Sequence, residues 1–427
     1  MFKKLTFLMV TIMIITLLFS GIGAAKTVRV LTWKTATAVE IQKLVPEFEE
    51  ETGIDVKMEI FPEPVLREKV MLDLASGTGT YDIFLAGSWV LPEYAEAGYL
   101  YPLNDLVENK PSKWFSQGDF ASAYLDALKY KNELYAMPYY GHVGVLMYRK
   151  DWFEEEGLEV PQTTEELLNT AKALNDPPNR YGIAFRGKRG EDNPIITTSL
   201  TWVFGGEWLD ENMKPAVDSK EFIDGVKYVK ELSQYAPPDM ARYGWVEVEN
   251  SFTQGKVAMI MDASDFIGRI EDPDNSPIAG NIGYALIPEG PAAPRTERYA
   301  SELFTAGMGI NADSPDVEEA WKFLQWMTCT EVQRRTALQG NNTGITSLPI
   351  LNDSEFKNSY PGIDVMLKAL EYANPHYMPR IPCYSELCDS IGTHISSVIA
   401  GTEEPESAMK AAARGMLKPL VEGGHIK

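Results

Sequence analysis

Histidine and cysteine are scarce in this 427-residue chain, with four of the first and three of the second. His142, His376, His394 and His425 form no ligand-spaced motif with Cys329, Cys383 or Cys388, so no metal centre is expected. Three thiols allow at most one disulfide. Cys383 and Cys388 are close enough in sequence to pair, and three free, partly buried thiols are the alternative. Positive charge is short too: 39 Lys and Arg against 61 Asp and Glu give a formal net charge of −22. That balance speaks against nucleic-acid binding and for a self-repelling surface. No apolar run after Phe19 approaches the roughly 20 residues that cross a bilayer. There is no P-loop, nucleophile elbow or zinc helix. Gly307-Met308-Gly309 lacks the third glycine of a dinucleotide loop and comes far too late in the chain. No cofactor is expected, and neither an internal repeat nor a low-complexity tract is present.

What is present begins with export. Lys3-Lys4, the apolar run Leu5 to Phe19 and the small residues Gly21 to Ala25 read as a secretory signal peptide over residues 1–25, cut after Ala25. An uncleaved anchor is the alternative. Losing Lys3 and Lys4 takes the charge from −22 to −24. No cysteine lies near the cleavage point, so a lipoprotein is not expected. The product should be soluble and periplasmic or otherwise extracytoplasmic. Its length exceeds the size at which one core stops growing, which predicts at least two lobes.

The stretch Glu133 to Phe153 organises the rest. The run Leu134 to Met137 is stopped by Pro138, then Tyr139-Tyr140-Gly141 leads to a second alternating run, Val143 to Tyr148. Proline cannot donate to a ladder, so two strands are predicted, with a crossing between two bodies at the break. A proline-ended strand inside one large domain is the alternative. Upstream, Val28–Trp33, Ile54–Phe61 and Tyr81–Ala86 alternate with helical patterns ending at Gly53 and Ser76-Gly77. This β-α-β-α-β order predicts a parallel, doubly wound sheet, whose ligands bind at strand carboxyl ends. Trp33, Ser88 and Trp89 sit at such ends. Further on, Tyr181–Phe185, Gly255–Asp262 and Gly283–Ile287 read as strands, and residues 288–304 as a loop. Helices are predicted over Asp316–Thr328, Glu331–Leu338, Ile363–Tyr372, Leu387–Ala400 and Pro405–Leu420.

Asp262 and Asp265, at the end of a buried strand, are the best acid pair. Two carboxylates can run glycoside hydrolysis or accept hydrogen bonds from ligand hydroxyls. Nothing else assembles a catalytic shell, which favours the second. Aromatic residues are rich at loop positions, among them Trp33, Trp89, Tyr139, Tyr140, Trp202, Trp208, Tyr243, Trp245 and Tyr384. Such rings stack on the apolar faces of sugars while neighbouring polar groups take the hydroxyls.

In order along the chain, EFEEETGIDVKMEI, YDIFLAGSW with YAEAGYLYPL, LYAMPYYGHVGVLMYRKDWFEEEGL, FTQGKVAMIMDAS, GINADSPDVEEAWKFLQWMT and MPRIPCYSEL resemble the family 1 extracellular solute-binding proteins of ABC importers, the group that includes the maltose-binding protein. The likeness covers nearly all of the chain after residue 25. It implies an α/β fold of two lobes, each a doubly wound sheet with helices, and a ligand cleft between them. Residues 26–138 and 305–339 would form the N-terminal lobe, and residues 139–304 and 340–427 the C-terminal lobe. The crossings fall at Met137–Gly141, Phe304–Gly307 and Gln339–Gly344. Carried over by motif, the lining is Trp33 and Lys34 after the first strand, Ser88 and Trp89 after YDIFLAG, and Tyr140 and Gly141 past the first crossing. Arg380 and Tyr384 come from MPRIPCYSEL. Trp202, Asp262, Asp265 and Thr343, in the third crossing, complete the expected set. Where the family often has a tryptophan platform after the GKxAM strand, this chain has Asp265. That departure favours a small sugar or sugar alcohol over a maltodextrin. The implied role is capture of a carbohydrate or polyol by a monomer, with delivery to membrane permease subunits and no catalysis. A secreted glycan-cleaving enzyme, or a binder of peptides or polyamines, is the alternative.

Overall fold

The computed structural model describes residues 26–190, 192–292 and 301–427. The export segment and the middle of the 288–304 loop lie outside the described residues. Among the described residues no helix is long and apolar enough to cross a membrane.

The strands are β1 (Thr27–Trp33), β2 (Asp55–Phe61), β3 (Ile83–Leu85), β4 (Lys129–Tyr130), β5 (Glu133–Leu134), β6 (Ala136–Arg149), β7 (Met259–Ala263), β8 (Ile282–Ala285) and β9 (Leu303–Ile310). The main sheet runs β2-β1-β3-β9-β6-β7, with β8 also paired to β6. β1 lies parallel to β2 and β3, as the β-α-β-α-β reading requires. β9 returns antiparallel to β3 and to β6, so the sheet is mixed.

Local chemistry explains the first unit. The Thr35 side chain accepts from the Ala38 N–H and caps helix Ala36–Thr52, which fixes the turn just after Trp33. Gly53, at φ 70, closes that helix in the left-handed region that favours glycine. A hairpin absent from the sequence reading joins β4 to β5 through Lys131 and Asn132, both at positive φ.

The predicted break at Pro138 is not there. β6 is one 14-residue strand that passes through Pro138. Its register against β9 shifts between Pro138 and Tyr140. A bulge absorbs a residue that cannot donate, so the proline bends the strand without ending it. The run Tyr181–Phe185 makes only isolated bridges to Val257 and Ile260, short of a full strand.

Three packed clusters fill the interior. The first holds Val30, Leu31, Ile41, Phe48, Phe84, Met137, Met308 and Trp321. The second holds Val143, Leu146, Phe185, Ile260, Leu303, Ile345 and Met366. The third packs Trp202, Trp208 and Val226 against Tyr384, Leu387, Ile391 and Met409. β6 and β9 each contribute to both of the first two clusters, so the sheet passes from one body to the other along these two strands.

Candidate ligand site where the strands cross

β1 delivers Trp33 at its carboxyl end. β3 delivers Trp89 after Gly87-Ser88, a segment pinned to β9 by Ala86 N–H to the Gly307 carbonyl and Ser88 N–H to the Thr305 carbonyl, both 2.8 Å. A Cβ on Gly87 would lie 1.8 Å from the Trp89 ring, so glycine lets that ring fold back over its own backbone. β9 adds Phe304. Its ring stacks on Trp89 with centroids 4.6 Å apart and on His142 with centroids 4.7 Å apart. His142 is the residue opposite Phe304 in the β6–β9 register, which places both side chains on one face. Trp33 stacks beside Trp89 and Phe304, at 6.2 and 6.1 Å, and meets Tyr140 edge-on at 5.8 Å. These rings form a continuous aromatic wall where the two bodies meet.

The facing wall is charged. Asp262, fully buried at the end of β7, receives Arg186 Nη2 at 2.5 Å and Nε at 3.0 Å. Burial works to lower the Arg186 pKa, and the Asp262 carboxylate more than offsets it, so the guanidinium stays charged. Three residues on, Asp265 accepts the Tyr140 hydroxyl at Oδ2. Arg269 stands 4.0 Å from that oxygen and donates to Glu249. Asp265 Oδ1 is buried and has no hydrogen-bond partner among the described residues.

Other buried polar atoms around the crossings share that state, among them Trp33 Nε1, Tyr124 OH, Glu302 Oε1 and His142 Nδ1. Burial pushes the Glu302 carboxyl up to about 8, with the nearby Asp262 charge adding to it. Desolvation pulls His142 down to about 4. Both are therefore uncharged at neutral pH.

The structure brings together Trp33, Ser88, Trp89, Tyr140, Gly141 and Asp265 from the expected set. Gly141 is needed because a Cβ there would lie 2.4 Å from the Tyr124 ring. Lys34 is exposed beside Trp33. The polar atoms of the other expected residues are already committed. Asp262 is closed by Arg186. Thr343, fully buried, donates to the carbonyl of Asp265 at 3.0 Å and so ties the third crossing to the turn after β7. Trp202 Nε1 donates to Glu207 at 3.1 Å, and its ring lies in the third cluster. Tyr384 stacks on Trp208 in that same cluster, at 6.1 Å. Arg380 donates to the backbone carbonyls of Asp126 and Lys129. The pairing left open for Cys383 and Cys388 is not formed; all three cysteines are buried thiols outside any disulfide.

Sequence reasoning missed His142, Phe304, Glu302, Arg186 and Tyr124. Phe304 sat at the edge of a marked crossing, and that position was the available signal. Arg186 carried none, because its partner lies 76 residues away.

The chain matches the family model described as bacterial extracellular solute-binding protein over residues 34–334. Among curated relatives, the mannitol-binding protein of Pseudomonas aeruginosa is 27% identical over 426 residues, covering 94% of this chain and 95% of that one. A solute-binding protein of an ABC transporter from Agrobacterium radiobacter, solved in complex with ribitol, superposes with a TM-score of 0.83 at 31% identity, over 91% of this chain and 97% of that one. Another, from Agrobacterium vitis with bound D-mannitol, gives a TM-score of 0.82 at 27% identity, over 94% and 99%.

Proposed function

Because this chain belongs to the bacterial extracellular solute-binding protein family, we propose that it captures a small neutral polyol or sugar between its lobes and presents it to the permease of an ABC importer. The observation that carries this reading is the set of buried polar atoms without partners beside the aromatic wall. Burying an unpaired polar group costs about 1–3 kcal/mol. Such groups gathered at the crossings are explained by a ligand whose hydroxyls complete them. The rings supply a face for C–H groups, and Asp265 and Glu302 supply places for O–H groups.

The lobe boundaries follow the expected scheme, residues 26–138 with 305–339 and residues 139–304 with 340–427. In support, cluster membership changes near each crossing, between Tyr139 and Val143, between Leu303 and Ala306, and between Val332 and Ala337, while Ala121, Tyr124 and Ala127 reach across into the second cluster. Three short crossings let the lobes rotate about few dihedrals, so closure on ligand is the natural motion. Residues 1–25 act as the export signal, and the mature protein works as a monomer outside the cytoplasmic membrane. Hydrolysis by Asp262 and Asp265 is disfavoured, because the Arg186 ion pair withholds Asp262 from a substrate.

A thermal-shift screen over D-mannitol, ribitol, D-tagatose, maltose, amino acids and polyamines tests the proposal. A ligand present at 100 times its Kd adds about 2.7 kcal/mol of stability. Stabilisation by a polyol or monosaccharide is expected. A response confined to amino acids or polyamines overturns the reading.

A further inference from the structure

Glu302 and His142 each keep one buried polar atom that nothing among the described residues satisfies. Glu302 is fully buried just before β9, and His142 is nearly so on β6. His142 Nδ1 and Glu302 Oε1 face each other at 3.9 Å. That is too long for a hydrogen bond. Neither atom has another partner among the described residues. An oxygen placed about 2.8 Å from each would bond to both.

The surroundings hold the pair in this arrangement. Ser199 donates to the other Glu302 oxygen at 3.4 Å. Gly144 leaves room for the carboxyl, since a Cβ there would lie 2.2 Å from Oε2. The charged groups nearby are Arg186 and Asp262, which are bound to each other, and Asp265, which accepts from Tyr140. His142 is also the last ring of the stack through Phe304 to Trp89, so the gap borders the aromatic wall.

We infer that Glu302 and His142 together hold one hydroxyl of a bound neutral polyol and select for a hydroxyl at that position. This rests on the reading that the cleft takes a polyol or sugar. An uncharged acid and an uncharged imidazole offer one donor and one acceptor between them, and a hydroxyl both donates and accepts. An ammonium group only donates and a carboxylate only accepts, so each leaves one member of the pair unpaired. Either also brings a charge to a place whose counter-charges are already committed. A hydrogen in place of the hydroxyl leaves both unpaired.

The test uses calorimetry with D-mannitol, ribitol and D-tagatose, and then the monodeoxy analogues of whichever binds the wild type most tightly. His142→Phe keeps the ring that stacks on Phe304 and removes the nitrogen. It is expected to weaken binding about tenfold to hundredfold, the cost of leaving a buried partner unmatched. Glu302→Leu should lose a similar factor. Glu302→Gln, which retains a donor and an acceptor, should stay within about threefold. One monodeoxy analogue should lose the same factor on the wild type and nothing further on His142→Phe, because variant and analogue remove the same interaction. Unchanged affinity in His142→Phe, or losses that add independently, would show that the pair packs or holds a water and would overturn the inference alone. A wild type that binds none of the three probes sinks the polyol reading and the inference with it. Melting of each variant without ligand reports the fold, and His142→Phe decides the matter if Glu302→Leu fails to fold.

Discussion

The two walls of the gap are built on different principles. The wall from β1, β3 and β9 is Trp33, Trp89 and Phe304, held by ring stacking, each pair worth about 0.5–1.5 kcal/mol beyond burial. The wall beyond β7 is the buried charges Asp262, Asp265, Arg186 and Glu249, with the exposed Arg269 bonded to Glu249 at its rim. Rings tolerate small shifts because dispersion is undirected. A buried ion pair does not, because one lost partner leaves a charge in low dielectric. The contrast recurs within three residues of one strand end. Asp262 spends both oxygens on Arg186, whereas Asp265 keeps Oδ1 unmatched. One carboxylate is closed by its partner, and its neighbour keeps one acceptor oxygen open.

The largest effect should come from breaking the charged wall. Arg186→Met should cost about 3–5 kcal/mol by stranding Asp262. Urea unfolding without ligand measures it, and a loss under about 1 kcal/mol would erase the distinction between the walls. Next come one residue from each wall. Trp89→Ala and Asp265→Ala should each cost about 1.5–3 kcal/mol of binding, a tenfold to hundredfold loss, by calorimetry with the best polyol probe. Near-wild-type affinity in both would remove this site.

A pH series sharpens the comparison at the crossing itself. Glu302 has its folded pKa raised from 4.5 to about 8, so the folded state keeps a proton that the unfolded chain loses. Its contribution to stability therefore falls as pH rises through that range. His142, lowered from 6.5 to about 4, gives the opposite slope between those values. The two cancel between about pH 4.5 and 6.5, and only Glu302 acts from about 6.5 to 8. There, at about 1.4 kcal/mol per pH unit, about 2 kcal/mol should be lost. Glu302→Gln should flatten that decline, and a decline of the same size in the variant would assign it elsewhere. The smallest effect belongs to Arg380, which reaches the carbonyls of Asp126 and Lys129 from 254 and 251 residues away. Arg380→Gln should weaken the affinity for the same probe by about threefold, seen as faster release, if these bonds help hold the lobes together. Unchanged release kinetics would confine Arg380 to local structure.

Much of this was open to sequence reasoning. Gly53 as a helix stop and the strand read at Ile54–Phe61 are local, so a window of a few residues contains their cause. The strand ends that carry Trp33 and Trp89 were placed the same way. Pro138 was misread because its tolerance depends on β9, a strand more than 150 residues further along, which supplies the bulge partner. Arg380 and Tyr384 were assigned to a ligand by motif, while the carbonyl that Arg380 reaches and the Trp208 ring stacked on Tyr384 come from distant segments.

By itself the sequence determined the order of the elements and the aromatic supply, because periodicity, capping and composition act over short spans, and its family motifs pointed to the class. The tertiary structure alone decided which side chains are already satisfied. Whether a buried Asp is closed by an Arg 76 residues away, or a Glu meets a His 160 positions earlier in a gap too wide to bond, depends on which segments pack together and what water they exclude. Those are long-range facts, and they separate a residue that supports the site from one that waits for the ligand.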